Sequence, residues 1–418
     1  MSKTNKCLIV TFDFTQRGKS ATSFAAGVLL SACKQHQHYG DKFSVDHLSI
    51  EMNENKVENP SVREIANEID NQYKLEELHG LAIGCYMWNT DLIEPLITQC
   101  RKKGFQGNII LGGYQIHEDT CEKLYPGGDI YLPSYGEVSL PEAFMQEKLL
   151  HKLTLTNQVD FGSLDSPYLN GAIEIAENQP MIHWDTQRGC YYACSFCAHR
   201  DVANNKVYDF PLEAIKSELR LFKEKNVQRI NVLDPIFRKG RRSYEILEYA
   251  IEIELEAELV FQVRFEDINE RLLGLFSKLN TYLEFGLQTA IKAESVVINR
   301  RNSIEKVSSA IEMLQSKNMS FEVSLIYGLP TQTLDSFSQS VQFLQSRDVL
   351  NIKAFPLMLL EGTQLSVDKE IYGIKEGLID ESGILHVVES DSFTNEEWKA
   401  MRNLATKLTK QGVTTCLL

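Results

Sequence analysis

Chemistry in this sequence concentrates in one short stretch. Cys190-Tyr191-Tyr192-Ala193-Cys194-Ser195-Phe196-Cys197 places three cysteines within eight residues, spaced Cys-x-x-x-Cys-x-x-Cys with an aromatic residue directly before the third. Thiolates set this close bind zinc, copper or iron–sulfur clusters. A structural zinc site wants a fourth ligand, usually from a second close pair. His199 is a candidate for it, although a knuckle with these gaps is unusual. Three thiolates can instead hold three irons of a four-iron cluster and leave the fourth iron an open position. The bland reading is three unrelated core cysteines, which behave as small hydrophobes.

A ligand loop needs a frame, and the sequence on either side supplies one. Ile182 to Thr186 reads as a strand leading into the cysteines. Short apolar strands then recur at Arg229–Leu233, Leu259–Phe265, Tyr282–Leu287, Phe321–Tyr327 and Asn351–Leu357, separated by segments with helical period. Pro211 opens the first of those helices. Six β–α steps over residues 181–358 predict a partial (β/α) barrel, in which loops after the strands gather at one face. Polar residues at strand ends are therefore site candidates. They are Asp234 after the second strand, Arg264 and Glu266 after the third, and Glu284 and Gln288 flanking Gly286 on the fourth. Glu284, Gly286 and Gln288 share one strand face by the period of two. Arg264 could grip a carboxylate with its planar fork or pair with Glu284. Asp234 could equally cap the following turn, and Gly328 could serve a turn alone.

Residues 1–150 show the same alternation. Strand-like Cys7–Phe12, Phe43–Ser49, Leu81–Gly84, Asn108–Leu111 and Asp129–Leu132 alternate with helical Ala21–Cys33, Ser61–Tyr73 and Thr90–Lys102. This is the pattern of an α/β open parallel sheet of the Rossmann-like kind, whose ligands sit at the carboxyl ends of the strands. Gly18-Lys19-Ser20 resembles the tail of a phosphate loop, but Asp13 occupies the position where that loop needs glycine. Residues 151–180 read as an extended linker. Residues 359–418 form a small C-terminal segment, with Thr394 and Glu397 as a capping box for a helix that could cover the barrel.

Composition bounds the partners. The chain has 418 residues, 43% of them hydrophobic, and a formal charge of −14 from 57 acidic and 43 basic residues. That balance argues against a nucleic-acid partner, which needs clustered lysine and arginine. No apolar run reaches membrane-spanning length. Nine cysteines, an odd number, fit poorly with a full set of disulfides and point to a reducing cytoplasm. Cys7, Cys33, Cys85, Cys100 and Cys121 fall at core positions, and Cys416 lies near the end as a plain free thiol or a late hydrogen donor or ligand.

Cys190, Cys194, Phe196 and Cys197, preceded by Pro180, a strand and Arg188-Gly189, resemble the signature of radical S-adenosylmethionine enzymes. The resemblance implies a [4Fe-4S] cluster on Cys190, Cys194 and Cys197 whose open iron is chelated by S-adenosylmethionine. It also implies cleavage to a 5'-deoxyadenosyl radical that removes a substrate hydrogen. It casts Arg264 and Glu284 as catalytic candidates. Phe196, Asp234, Arg264, Gln288 and Gly328 become cofactor contacts, with Arg264 on the methionine carboxylate and Gly328 beside the adenine. The family's Gly-Gly-Glu run is absent near Asp234, and Glu361-Gly362-Thr363 stands where the family often has Pro-Gly-Thr. The first domain resembles the cobalamin-binding-type domain found ahead of many such barrels, through Gly112-Gly113-Tyr114 and Tyr135-Gly136-Glu137. Gly112, Gly113, Tyr114, Gly136 and Glu137 are the implied cobalamin contacts. The Asp-x-His-x-x-Gly ligand motif is missing, so cobalamin bound without a histidine and a retained scaffold both stay open. The implied partners are an electron donor such as flavodoxin or ferredoxin and a small-molecule or peptide substrate. The leading expectation is cobalamin-dependent methylation of an unactivated carbon. The alternatives are a non-methylating epimerase, dehydratase, mutase or lyase, and a non-catalytic zinc- or cluster-held scaffold.

Overall fold

Two runs of parallel strands, each with its own core, account for most of the chain. The computed structural model describes residues 4–14, 23–52, 59–199, 206–380 and 383–411. It divides into one unit of Met1–Ile175 with Asp380–Ile384, and a second of Ala176–Ile379 with Leu385–Leu418.

In the first unit, β1 (Asn5–Phe14), β2 (Phe43–Met52), β3 (Gly80–Gly84), β4 (Asn108–Gly112), β5 (Ile130–Leu132) and β6 (Leu153–Thr154) form a parallel sheet in the order β2-β1-β3-β4-β5-β6. Near-continuous apolar strands suit a sheet covered on both faces. The period of two sends Leu8, Val10 and Phe12 into one core and Cys7 and Ile9 into the other. The other core takes Cys33 from α1 (Phe24–Gln35), while the first takes Ile65 and Ile69 from α2 (Val62–Tyr73) and Ile93 and Leu96 from α3 (Thr90–Lys102). The small residues of α1 have a use: Gly27 is where the Ile173 side chain lies against the helix. Strand β6 falls inside the stretch read as an extended linker; two residues are too few to carry a periodic signal. The Gly18-Lys19-Ser20 segment lies outside the described residues.

In the second unit, β7 (Ile182–Trp184), β10 (Arg229–Val232), β11 (Glu258–Val263), β12 (Thr281–Gln288), β13 (Ser320–Tyr327) and β14 (Ile352–Pro356) form a parallel sheet in sequential order. Side chains from all six line one cavity, so the sheet curls around it as a partial barrel. Two small pieces, β8 (Gln187–Arg188) and β9 (Tyr208–Asp209), pair antiparallel on either side of the cysteine segment. A second antiparallel pair, β15 (Lys375–Leu378) with β16 (Leu385–Glu389), was not legible from its glycine-containing sequence.

The C-terminal helix, Asn395–Gln411, starts at the Thr394–Glu397 capping box. It does not cover the cavity. Trp398 packs on Tyr327 at 5.7 Å, on the outward face of β13 and beside the helix Leu334–Gln345, so the C-terminal helix shields the back of the last strands. Among the described residues no helix is long and apolar enough to cross a membrane.

Candidate functional site

The barrel cavity, of about 360 Å³, is lined at its upper end by Cys190, Cys194, Phe196 and Cys197. The loop that carries them begins with a forced turn. Gly189 has φ +81°, and a Cβ there would strike the Lys206 carbonyl. It is then held from far along the chain. The Ser195 amide donates to the Ile298 carbonyl (2.9 Å), the Asn299 side-chain amide donates to the Ala193 carbonyl (2.8 Å), and the Leu365 amide donates to the Ser195 carbonyl (2.8 Å). Burial pushes the Cys190 and Cys197 thiols up, opposed by backbone N–H groups of Tyr192 and His199 respectively. Ligands of this kind must shed protons to bind a metal.

A single tetrahedral ion with bonds of about 2.3 Å gathers its thiolates to within about 4 Å of one another. Among the described residues no three His, Cys, Asp or Glu side chains converge to hold one ion. The three thiols instead border a shared space. His199 lines the same space.

Below the thiols the wall is polar. The register places Gln262, Glu284 and Glu322 side by side on β11, β12 and β13, and Gly286, Ser324 and Lys353 one step higher on β12, β13 and β14. Lys353 pairs with Glu322 at 2.7 Å, and the Tyr282 hydroxyl donates to the same carboxylate at 2.8 Å. Arg229 pairs with Glu258 at 2.5 Å. Burial, followed by the charge of Glu322, pushes the Glu284 carboxyl above the usual range, with Lys353 and Arg229 opposing.

Glu284, Gln288 and Arg264 all line the cavity. Arg264 does not pair with Glu284. Its Nε donates to Glu266 at 3.2 Å, and its guanidinium stacks on the Tyr192 ring with the central carbon 3.8 Å from the centroid. Two candidates lie elsewhere. Asp234 is fully buried and faces away from the cavity. It accepts from the Thr186 amide (2.7 Å), the Thr186 hydroxyl (2.5 Å) and the Gln187 amide (3.2 Å), so it caps the turn that leads into the cysteine loop rather than the turn that comes after it. Burial lifts its carboxyl to about 7 against those hydrogen bonds. Gly328, φ +89°, backs onto the Val387 carbonyl and the Trp398 indole, away from the cavity lining. Sequence reasoning missed Arg300. It is half-buried and lines the cavity, with Nη1 3.6 Å from the Cys194 sulfur and a hydrogen bond to the Gly286 carbonyl. The one available signal was the run Asn299-Arg300-Arg301-Asn302 after a short helix.

Residues 184–344 match the Radical SAM superfamily. The matched stretch is a radical SAM domain. The radical SAM domain so matched contains the three cysteines and four of the six barrel strands in full. The chain is 25% identical over 344 residues to the cobalamin-dependent radical SAM methyltransferase TokK of Streptomyces tokunonensis, covering 71% of this chain and 49% of that protein. It is 23% identical over 373 residues to the 2-(S-pantetheinyl)-carbapenam-3-carboxylate methyltransferase of Streptantibioticus cattleyicolor, covering 76% and 54%. It thus spans about half the length of these curated relatives. The structure of the radical S-adenosylmethionine methyltransferase TsrM from Kitasatospora setae, with cobalamin and a [4Fe-4S] cluster bound, superposes with a TM-score of 0.71 at 11% identity, covering 99% of this chain and 92% of that one. At that identity the likeness speaks for the fold alone: a Rossmann-like unit followed by a partial barrel.

The first unit carries the implied cobalamin contacts at the carboxyl edge of its sheet. The order reverses between β1 and β3, the place where such sheets open a crevice. Tyr86 stacks on Trp88 there at 4.7 Å, and the Trp88 indole N–H donates to the Phe12 carbonyl. Gly112 closes β4, and Gly113, φ +106°, lets the next loop pass so close to Cys85 that a Cβ would sit 2.6 Å from its carbonyl. Tyr114 is exposed, Gly136 opens the helix Gly136–Phe144, and Glu137 is buried within it. The sequence has no histidine between Phe14 and Phe24, after β1.

Proposed function

We propose that this chain is a radical SAM enzyme that removes a hydrogen atom from a small-molecule or peptide substrate held in the barrel. The observation that carries this reading is the shared cavity: three thiols at the mouth, and a wall of ordered ion pairs and one additional carboxyl below them. When bound, a [4Fe-4S] cluster supplies one electron to cleave S-adenosylmethionine to methionine and a 5'-deoxyadenosyl radical. Cys190, Cys194 and Cys197 would hold it. Phe196 and Gln288 line the space beside it, and Glu284 faces substrate from the wall. A scaffold would have no use for such a wall. An external one-electron donor of the flavodoxin or ferredoxin kind completes the reading. Anaerobic reconstitution with reductant and S-adenosylmethionine tests it: about four irons per chain and release of 5'-deoxyadenosine are expected. Zinc alone, with no cleavage, would sink it.

The step after hydrogen abstraction has two readings. The first is epimerisation, dehydration, rearrangement or bond cleavage, which needs nothing from the first unit beyond its fold. The second is methylation of an unactivated carbon, which the glycine and aromatic edge of that unit favours; Gly112, Gly113, Tyr114, Gly136 and Glu137 would hold the corrin. Purification with cobalamin supplied separates them. A corrin band near one equivalent, with label passing from methyl-labelled S-adenosylmethionine to product, supports methylation. Full deoxyadenosine formation with the true substrate and no corrin removes it.

Arg264 is proposed to hold the carboxylate of S-adenosylmethionine. Arg264→Ala should raise the KM for S-adenosylmethionine by about 10- to 100-fold, the weight of one charge-assisted pair. Iron content should stay at the parent level. Loss of iron would mark Arg264 as structural, through Glu266 and Tyr192.

A further inference from the structure

Arg300 is placed for a role that neither the cysteine motif nor the barrel pattern requires. The side chain is half-buried, its Nε is closed off from solvent, and a guanidinium stays charged, so its surroundings must compensate it. The described surroundings do so only in part. Nη2 donates to the Gly286 carbonyl, Nη1 approaches the Cys194 sulfur at 3.6 Å, and Nε is buried without a partner. Burial pulls the guanidinium's pKa down and Arg264 adds to that pull; Cys194 and Glu266 oppose it. The position is not loosely held. Ile298 and Asn299, the two residues before it, are hydrogen-bonded to Ser195 and Ala193 on either side of Cys194. The chain thus clamps a cation against one thiol. Any Cβ on Gly286 would sit 3.1 Å from Nη2, so the bare glycine makes the room.

We propose that Arg300 tunes the electron affinity of the cluster carried by Cys190, Cys194 and Cys197, by donating an N–H hydrogen bond to the Cys194 sulfur. This rests on the cluster reading above. Net charge and hydrogen bonds to the sulfurs set the potentials of such clusters. One electron from an external low-potential donor adds one negative charge, no bond breaks, and Arg300 keeps its protons. A cation bonded to the sulfur favours that added charge, so the residue makes reduction easier. It is a positioning and tuning residue, not one that touches substrate.

The test is an EPR-monitored redox titration of reconstituted protein without S-adenosylmethionine. Arg300→Met should load iron and shift the reduction equilibrium about tenfold towards the oxidised form, about 59 mV more negative for one electron. Arg300→Lys, which keeps the charge and loses the fork, should fall between. An unmoved potential in a fully loaded Arg300→Met variant overturns the proposal; if its KM for S-adenosylmethionine rises instead, Arg300 serves the cosubstrate. Should Arg300→Met fail to load, the parent protein decides the question. Pulsed EPR of its reduced cluster should show a strongly coupled proton that exchanges in D₂O, and absence of that proton overturns the proposal. A parent that binds no iron refutes the cluster reading itself and is distinguishable from either result.

Discussion

Replacing Cys190, Cys194 or Cys197 by alanine is expected to take the reconstituted chain from about four irons to few or none. Release of 5'-deoxyadenosine should fall at least about 10³-fold, because the cofactor and not the protein supplies the chemistry of the step. The three variants should behave alike. Each thiol borders the same cavity, and the other described cysteines are buried in the core of the first unit. Iron analysis and product chromatography on the three variants decide it. Retention of a full cluster in any one of them would show that a different residue supplies that ligand. The fold should survive in all three, since the loop is pinned by backbone hydrogen bonds at Ser195 and Ala193 rather than by the thiols.

Asp234→Ala should cost the fold heavily. It strands the Thr186 and Gln187 amides and the Thr186 hydroxyl inside the protein. Buried groups left unpaired cost about 1–3 kcal/mol each, so a loss of about 3–5 kcal/mol is expected after relaxation. Asp234→Asn should stay within about 1 kcal/mol, because its carbonyl can accept from both amides while its NH₂ faces the Thr186 hydroxyl. The pair also carries a pH signature. The folded carboxyl sits near 7 against an ordinary value of 3.8, so the native chain holds a proton that the unfolded chain releases. The contribution of this group to stability is therefore greatest below about 4 and declines as pH rises towards about 7. Denaturant titrations of the metal-free chain should show the parent losing ground to Asp234→Asn between about pH 5 and 7. A parallel pair of curves would mean the carboxyl is ionised throughout.

How much could be read from the sequence depends on how far apart the cooperating residues lie. The cysteine motif is local, and the strands announce themselves through runs such as Leu8–Phe12 and Tyr282–Leu287, so the six β–α steps were legible with boundaries within a residue or two. Asp234 was visible as a polar strand end. Its partner was not, because Thr186 and Gln187 come within reach only when β10 lies beside β7. Arg264 was visible as a strand-end cation, yet its choice of Glu266 over Glu284 depends on side-chain direction, with Glu284 aligned beside Gln262 and Glu322 instead. Arg300 comes after a short helix with no periodic signal, and nothing local says that it folds back onto Cys194. The C-terminal helix was legible from its capping box, whereas its seat behind β13 depends on Tyr327 pointing outward.

The tethers that hold Ser195 also set a timetable for making the protein. The loop acquires its shape from Ile298, Asn299 and Leu365, all far downstream of the cysteines. At about 5–20 residues per second, the ribosome needs on the order of ten seconds to travel from Cys197 to Leu365. During that interval three thiols are exposed on an unfinished chain, open to oxidation or to capture by whatever metal is free. The cysteine loop can therefore take its final shape only after most of the barrel has been synthesised.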